Sequence, residues 1–114
     1  METIKELIKE KSLEEKLNAI KVAQLPLSKA LELQVLYILE GGPQLYCDVK
    51  HKTEATGKKV SAALGCLRLN KLIDRKALNE KKTKWEYTIT EQGISVLPMI
   101  YWLIGRYYGQ KAKL

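Results

Sequence analysis

Histidine and cysteine are scarce in this chain of 114 residues, with one of the first and two of the second. Cys47 and Cys66 are too far apart for a CxxC motif and too few for a disulfide framework. Cys47 and His51 could share a helical face, but a tetrahedral zinc site of soft ligands would lack its fourth donor. No metal site and no cofactor are therefore expected. Gly57-Lys58-Lys59 lacks the upstream glycine of a phosphate-binding loop. No nucleophile has a nearby base and no two acids occupy a plausible cleft, which argues against an enzyme. Cys66 has basic neighbours, but nothing else argues for a lowered thiol pKa. No apolar run approaches the roughly 18 residues of a membrane span. A charged-then-apolar leader with a small-residue cleavage site is also missing from the N-terminus. The expectation is a cytoplasmic protein with reduced thiols and no membrane partner.

What is present is globular. Hydrophobic residues make up 46% of the chain and charged residues 29%, enough for one small core and too apolar for a disordered segment. The formal charge is +7 and the pI about 9.4, which favours an acidic partner, nucleic acid first. The charge is not evenly spread. Residues 1–40 carry six Lys against seven Glu, whereas residues 41–90 carry eleven Lys and Arg against five Asp and Glu. The positive excess is central.

Ile4, Leu7, Ile8, Leu13, Leu17 and Ile20 recur near helical spacing, and Ser12 with Glu15 forms a capping box that could divide this segment into two helices ending by Pro26. Ser28 can cap a second helix, with Leu31, Val35, Leu36 and Leu39 on its apolar face and Gly41-Gly42-Pro43 as its stop. A short extended piece at Gln44-Leu45-Tyr46 and a short helix follow. Thr56 caps the next helix. From Ile73 the period becomes two: "LIDRKAL" and "KWEYTIT" read as strands joined by the polar turn Asn79-Glu80-Lys81-Lys82. Thr90 caps a last helix beginning at Glu91, which Pro98 should kink. The fold class is mainly α with a small β-hairpin wing. A helix-turn-helix followed by a basic hairpin is the winged-helix arrangement, with its second helix in the major groove and the hairpin on the backbone.

The helix from Gly57 carries the functional signal. Val60, Leu64 and Leu67, flanked by Ala63, form its core side. The opposite side has Lys58, Ala62 and Gly65, with Ser61 and Cys66 on the flanks and Leu69 pointing with Ala62. A mid-helix glycine costs about 1 kcal/mol against alanine, so it calls for a reason. Either another helix packs closely on this face, or the face enters a DNA groove while Lys58 and Lys59 meet phosphates or base edges. Arg75 and Lys76 on the first wing strand, and Lys81, Lys82 and Lys84 around its tip, favour DNA. Few of these groups can read bases, so specificity leans on DNA shape and methyl contacts to Ala62.

Three stretches carry a family resemblance: "VLYILEGGPQLYCDV", "TGKKVSAALGCLRLNKLIDRK" and "WEYTITEQGISVLPMIYW". From about residue 28 to 105 the chain resembles the HxlR-type winged helix-turn-helix regulators, related to the MarR and PadR groups. The resemblance implies a homodimeric transcription regulator bound to double-stranded DNA, dimeric through its N- and C-terminal helices. It implies an N-terminal extension at 1–25, a winged-helix core at 28–90 and a dimerisation helix at 91–110, as one domain. The recognition helix then spans about 57–71 and the wing tip about 79–84. By position, Thr56, Lys58, Lys59, Ser61 and Ala62 fall on the DNA-reading helix, and Lys81, Lys82 and Lys84 on the wing; Gly65 and Arg75 join the expected DNA contacts from the reading of the helix face and wing strand above. The chain departs from the family at three places: Asn18 stands near the position of a frequent cysteine, Lys29-Ala30-Leu31 replaces Gly-Lys-Trp, and the segment "KHKTEATG" is more polar and about one residue shorter. Redox sensing through that cysteine is therefore unsupported.

The last helix points to a dimer on physical grounds as well. Ile94, Leu97, Tyr101, Ile104 and Tyr108 form one apolar stripe, and Ile100, Leu103 and Tyr107 another. One small core is not expected to cover both. The expected interface comprises Ile4, Leu7, Ile8, Leu97, Ile100, Tyr101, Ile104 and Tyr108. The alternative is a winged-helix module whose flat face binds protein instead of DNA. No small-molecule effector follows from the sequence.

Overall fold

A computed structural model describes residues 11–23 and 25–112. The elements run α1 (Leu13–Lys21), α2 (Leu27–Glu40), β1 (Gln44–Leu45), α3 (Tyr46–Thr53), α4 (Gly57–Leu69), β2 (Ile73–Ala77), β3 (Trp85–Ile89), α5 (Glu91–Ile94) and α6 (Leu97–Ala112). Ser12 caps α1 as expected: its Oγ accepts the Glu15 N–H at 3.1 Å, and the Glu15 carboxylate accepts the Ser12 N–H at 3.2 Å. The bond from the Ser12 backbone, then that with its hydroxyl, holds the Glu15 carboxyl below its ordinary range.

Helix α1 ends at Val22, well before Pro26, and Pro26 instead stands at the start of α2. The expected Ser28 cap is therefore two residues too late. Proline suits a helix entrance because its φ, here −55°, is already set and its missing N–H has no partner to lose. Helix α2 is the centre of the fold and contacts α1, α3, α4, α6 and β3. Ala30, Leu31, Val35, Leu36, Tyr37, Ile38 and Leu39 are all buried along it, so it lacks a solvated side over most of its length. Gln34 is the buried polar side chain among the described residues, and its Nε2 donates to the Leu17 carbonyl at 2.8 Å, tying α1 to α2.

Gly42, at φ +134°, turns the chain out of α2 into β1. The short extended piece does more than bridge two helices: it pairs antiparallel with β3, Gln44 opposite Tyr87 and Leu45 opposite Glu86. The wing is thus a three-stranded sheet in the order β1-β3-β2. Helix α3 ends at Glu54 in the left-handed region, φ 57°. That residue makes the turn of the helix-turn-helix.

Helix α4 stops at Leu69, two residues earlier than expected. Lys71 takes a left-handed φ of 62°, the Leu72 N–H reaches back to the Leu67 carbonyl at 3.0 Å, and the Lys71 N–H to Arg68 at 3.0 Å. This is a Schellman ending with lysine where glycine is usual. In β2 and β3, Ile73 faces Ile89, Arg75 faces Tyr87 and Ala77 faces Trp85, which places these six on one side of the sheet. Ile73 and Tyr87 seal that side against the core.

Thr90 caps α5 as expected, with its Oγ1 accepting the Gly93 N–H at 3.1 Å. Pro98 does not kink the last helix. The helix breaks at Ser95–Val96, and Pro98 falls in the first turn of α6, where a missing donor costs nothing. The Tyr101 hydroxyl donates to the Glu40 carboxylate, joining α6 to the end of α2, and its ring stands edge-on to Tyr37. Burial, and then the Glu40 carboxylate, push the Tyr101 phenol well above its ordinary pKa.

Candidate nucleic-acid interface

The site begins at the front of α4. Thr56 Oγ1 accepts the Lys59 N–H at 3.3 Å, so its hydroxyl is committed to the cap. The free amides of this first turn carry the positive end of the helix dipole. Lys58 and Lys59 beside it are exposed, and neither has a carboxylate within ion-pair reach among the described residues. Val60, Ala63, Leu64 and Leu67 are buried, as their spacing predicts. Lys58, Ser61, Ala62 and Gly65 are exposed, and Leu69 is 83% exposed. A Cβ placed on Gly65 would meet nothing within 4 Å. At Gly65 no described element packs on the helix, so that glycine does not serve an internal helix contact, while Ala62 borders an open groove against Ser28, Lys29 and Glu32 of α2.

The other flank of α4 leans on α3. The Tyr46 hydroxyl donates to the Gly57 carbonyl at 3.0 Å, and Ser61 Oγ donates to Tyr46 Oη at 3.5 Å. A Cβ on Gly57 would lie 2.9 Å from that hydroxyl, so the first residue of α4 is bare where Tyr46 comes in. Sequence reading missed this clasp, because its members are 11 and 15 residues apart.

The wing tip is built by Asn79. Its Oδ1 accepts the Thr83 N–H at 3.0 Å and the Lys84 N–H at 3.3 Å, and its Nδ2 donates to Thr83 Oγ1 at 2.7 Å. The ladder closes with the Leu78 N–H donating to the Lys84 carbonyl at 2.9 Å. This frame leaves Lys81, Lys82 and Lys84 exposed together at the tip, with Lys82 at φ 54°. Arg75 is not among them. It sits on the core side of the sheet, half-buried, its guanidinium 3.9 Å from the centre of the Trp85 ring. Lys76 is on the outer side, 3.9 Å from Glu86. The structure therefore groups Thr56, Lys58, Lys59, Ser61, Ala62 and Gly65 on one helix and Lys81, Lys82 and Lys84 on one loop, with Arg75 held apart on tryptophan.

The expected interface residues of the last helix are corrected by burial. Leu97, Ile100, Tyr101 and Ile104 face the protomer's own core; Ile100 and Ile104 are 0% exposed and have no surface to offer a partner. One core takes in these four of the eight stripe residues, where α6 packs on α1 and α2, while Leu103 and Tyr107 are half-buried and Ile94 is exposed. Tyr108 is half-buried, edge-on to Tyr107 with the Lys11 ammonium 4.6 Å above its ring. Ile4, Leu7 and Ile8 lie outside the described residues. The apolar surface α6 leaves open is different: Met99 and Trp102 are each 49% exposed, and Arg106 lies 5.4 Å over the Trp102 ring. Beside it, Ala19, Val22, Ala23 and Leu25 with Leu103, Arg106 and Tyr107 line a groove of about 480 Å³.

The profile of the HxlR-like helix-turn-helix family matches residues 27–111, from the first residue of α2 almost to the end of α6. The chain belongs to that family. HxlR-like architecture also appears in a solved structure, the reduced form of the transcriptional regulator YodB from B. subtilis. The two share a TM-score of 0.52 and 22% sequence identity over 68% of this chain and 84% of that one, a likeness of fold. No curated protein sequence matches. The matched span starts after α1, yet Leu17 and Ile20 of α1 are buried in the same core as the HxlR-like elements. Among the described residues, no helix is long and apolar enough to cross a membrane.

Proposed function

We propose that this HxlR-like protein is a DNA-binding transcription regulator that acts as a homodimer, with α4 in the major groove and the wing tip along the phosphate backbone. The observation that carries the reading is the outer face of α4. It combines Lys58 and Lys59, which have no ion-pair partner among the described residues, at the positive end of a helix with Ala62 and an unobstructed Gly65. A groove binder needs that combination: cations where phosphates pass, and no bulk where the helix backbone must come close. The lysines of the wing tip add charge on a second element. Binding of the chain to duplex genomic fragments should be tight at low salt and weaken steeply as salt rises, by mobility shift. Absence of duplex binding at low salt would overturn the proposal.

Two recognition helices set about 34 Å apart would read a site with two-fold symmetry. The surface that supports pairing is the exposed Met99–Trp102–Arg106 side of α6 with the neighbouring groove against the end of α1. Trp102→Glu should leave the melting temperature of the monomer core nearly unchanged, convert dimer to monomer in sedimentation equilibrium, and weaken duplex binding with it. A W102E protein that remains dimeric places the interface elsewhere.

A second reading has one observation in its favour, the 83% exposed Leu69 at the end of α4, an apolar group with no role towards phosphate. In it the same face binds a protein. A flat salt response together with a stable heteromeric complex on pull-down would select that reading.

A further inference from the structure

We infer that Tyr46 is a positioning residue that biases the hydrogen-bond polarity of Ser61, so that each recognition helix accepts from an amino group of adenine or cytosine at one base position. The inference rests on the proposed insertion of α4 into the major groove and names what one of its few polar groups reads there.

The argument follows the protons. The Tyr46 hydroxyl lies 3.0 Å from the Gly57 carbonyl, and a carbonyl oxygen only accepts, so the phenolic hydrogen is committed to it. Tyr46 Oη then faces Ser61 Oγ with lone pairs alone; the 3.5 Å separation is long for a hydroxyl pair, so it biases the single Ser61 hydrogen towards Tyr46 without locking it there. A chain Ser61→Tyr46→Gly57 results, in which each link favours the next. Ser61 is exposed, so in this orientation its lone pairs are the part turned to solvent. A free serine hydroxyl reads donors and acceptors alike. This one is biased towards donors.

In the major groove the donors are the amino groups of adenine and cytosine, whereas guanine and thymine present acceptors. Ser61 biased to this polarity therefore discriminates by a property no other exposed group of α4 shares, since Lys58 and Lys59 are donors only and Ala62 and Gly65 carry no polar side chain. Gly57 belongs to the same device. Its missing Cβ is what lets the Tyr46 hydroxyl reach the carbonyl, because a methyl group there would sit 2.9 Å from Oη.

The test selects bound duplexes from a randomised library at fixed low salt, using the full chain and the variants Ser61→Ala, Tyr46→Phe and Gly57→Ala. The full chain should favour A or C over G or T by about fivefold at one position in each half-site, the scale of one neutral hydrogen bond. Ser61→Ala, a surface change that leaves the fold alone, should level that position and no other. Tyr46→Phe and Gly57→Ala should level it too although Ser61 is intact, and Gly57→Ala should add nothing in a Tyr46→Phe background. The salt dependence, which counts phosphates, should be the same for all four proteins. A purely structural role for Tyr46 would lower affinity evenly across the site without levelling one base. Retention of the preference by both Tyr46→Phe and Gly57→Ala, or a pattern untouched by Ser61→Ala, overturns the inference while DNA binding stands. Failure of the full chain to bind any duplex overturns the underlying reading and this inference together.

Discussion

Gly93→Ala should lower the melting temperature by about 10 °C. A Cβ at Gly93 would lie 2.2 Å from the Leu72 carbonyl oxygen and 2.6 Å from Ile89 Cγ1. The first of these is backbone, and it cannot retreat. The Leu72 N–H is held by the Schellman ending of α4, its carbonyl accepts the Thr90 N–H at 3.1 Å, and Thr90 Oγ1 donates to the neighbouring Lys71 carbonyl at 2.7 Å. Gly93 is thus the point where the end of α4, the foot of the wing and α5 press on one another. Overpacking of this kind costs about 3 kcal/mol, and at a few degrees per kcal/mol for a domain of this size the shift follows. Gly65→Ala is the matched control, because its Cβ would meet nothing. That substitution should hold stability or raise it by about 1 kcal/mol, the ordinary gain of alanine in a helix. Differential scanning calorimetry of the two variants checks both. Equal melting temperatures for the two would refute the contact at Gly93.

The contrast between these glycines shows what the sequence can and cannot tell. Both interrupt helical stretches and look alike in one dimension, yet one is required by backbone packed against it and the other faces open space. The core side of α4 was legible because Val60, Leu64 and Leu67 repeat with the helical period, and the caps at Ser12, Thr56 and Thr90 were legible because each stands directly before its helix. The wing was legible from the alternation around Trp85 and Tyr87.

What was missed depended on register or on contacts between distant segments. Strand β1 is two residues long and has no period to read, so its place beside β3 exists only in the pairing. The Arg75–Trp85 stack is diagonal across two strands and requires their register. Helix α6 is apolar nearly all round, so no stripe marked which side faces the core; burial by α1 and α2 decided it, and took Leu97, Ile100, Tyr101 and Ile104 inward. The role of Pro98 turned on a helix break at Ser95–Val96 that no residue there announces. At the candidate site, the charged and small residues of α4 were evident from their spacing, whereas the Tyr46 clasp on Gly57 and Ser61 was not.

Replacing Lys58 and Lys59 together with alanine should reduce affinity for duplex DNA by about two to three orders of magnitude near 0.1 M salt, with the fold intact. Each lysine that neutralises a phosphate releases condensed counterions on binding, and contributes about 0.9 to the slope of log affinity against log salt. A homodimer carries the pair twice, so the double substitution should flatten that slope by about 3 to 4. Stability should stay within about 0.5 kcal/mol, because both side chains are exposed and neither holds an ion pair among the described residues. The loss should also be even across sequences, since point charges on phosphate carry little base information. That evenness separates these lysines from Ser61, whose removal changes preference and leaves the salt slope alone. An affinity that survives the double substitution would remove the front of α4 from the interface and shift the contact to other basic surface, the wing tip first. A fall in melting temperature would mean instead that the lysines meet protein.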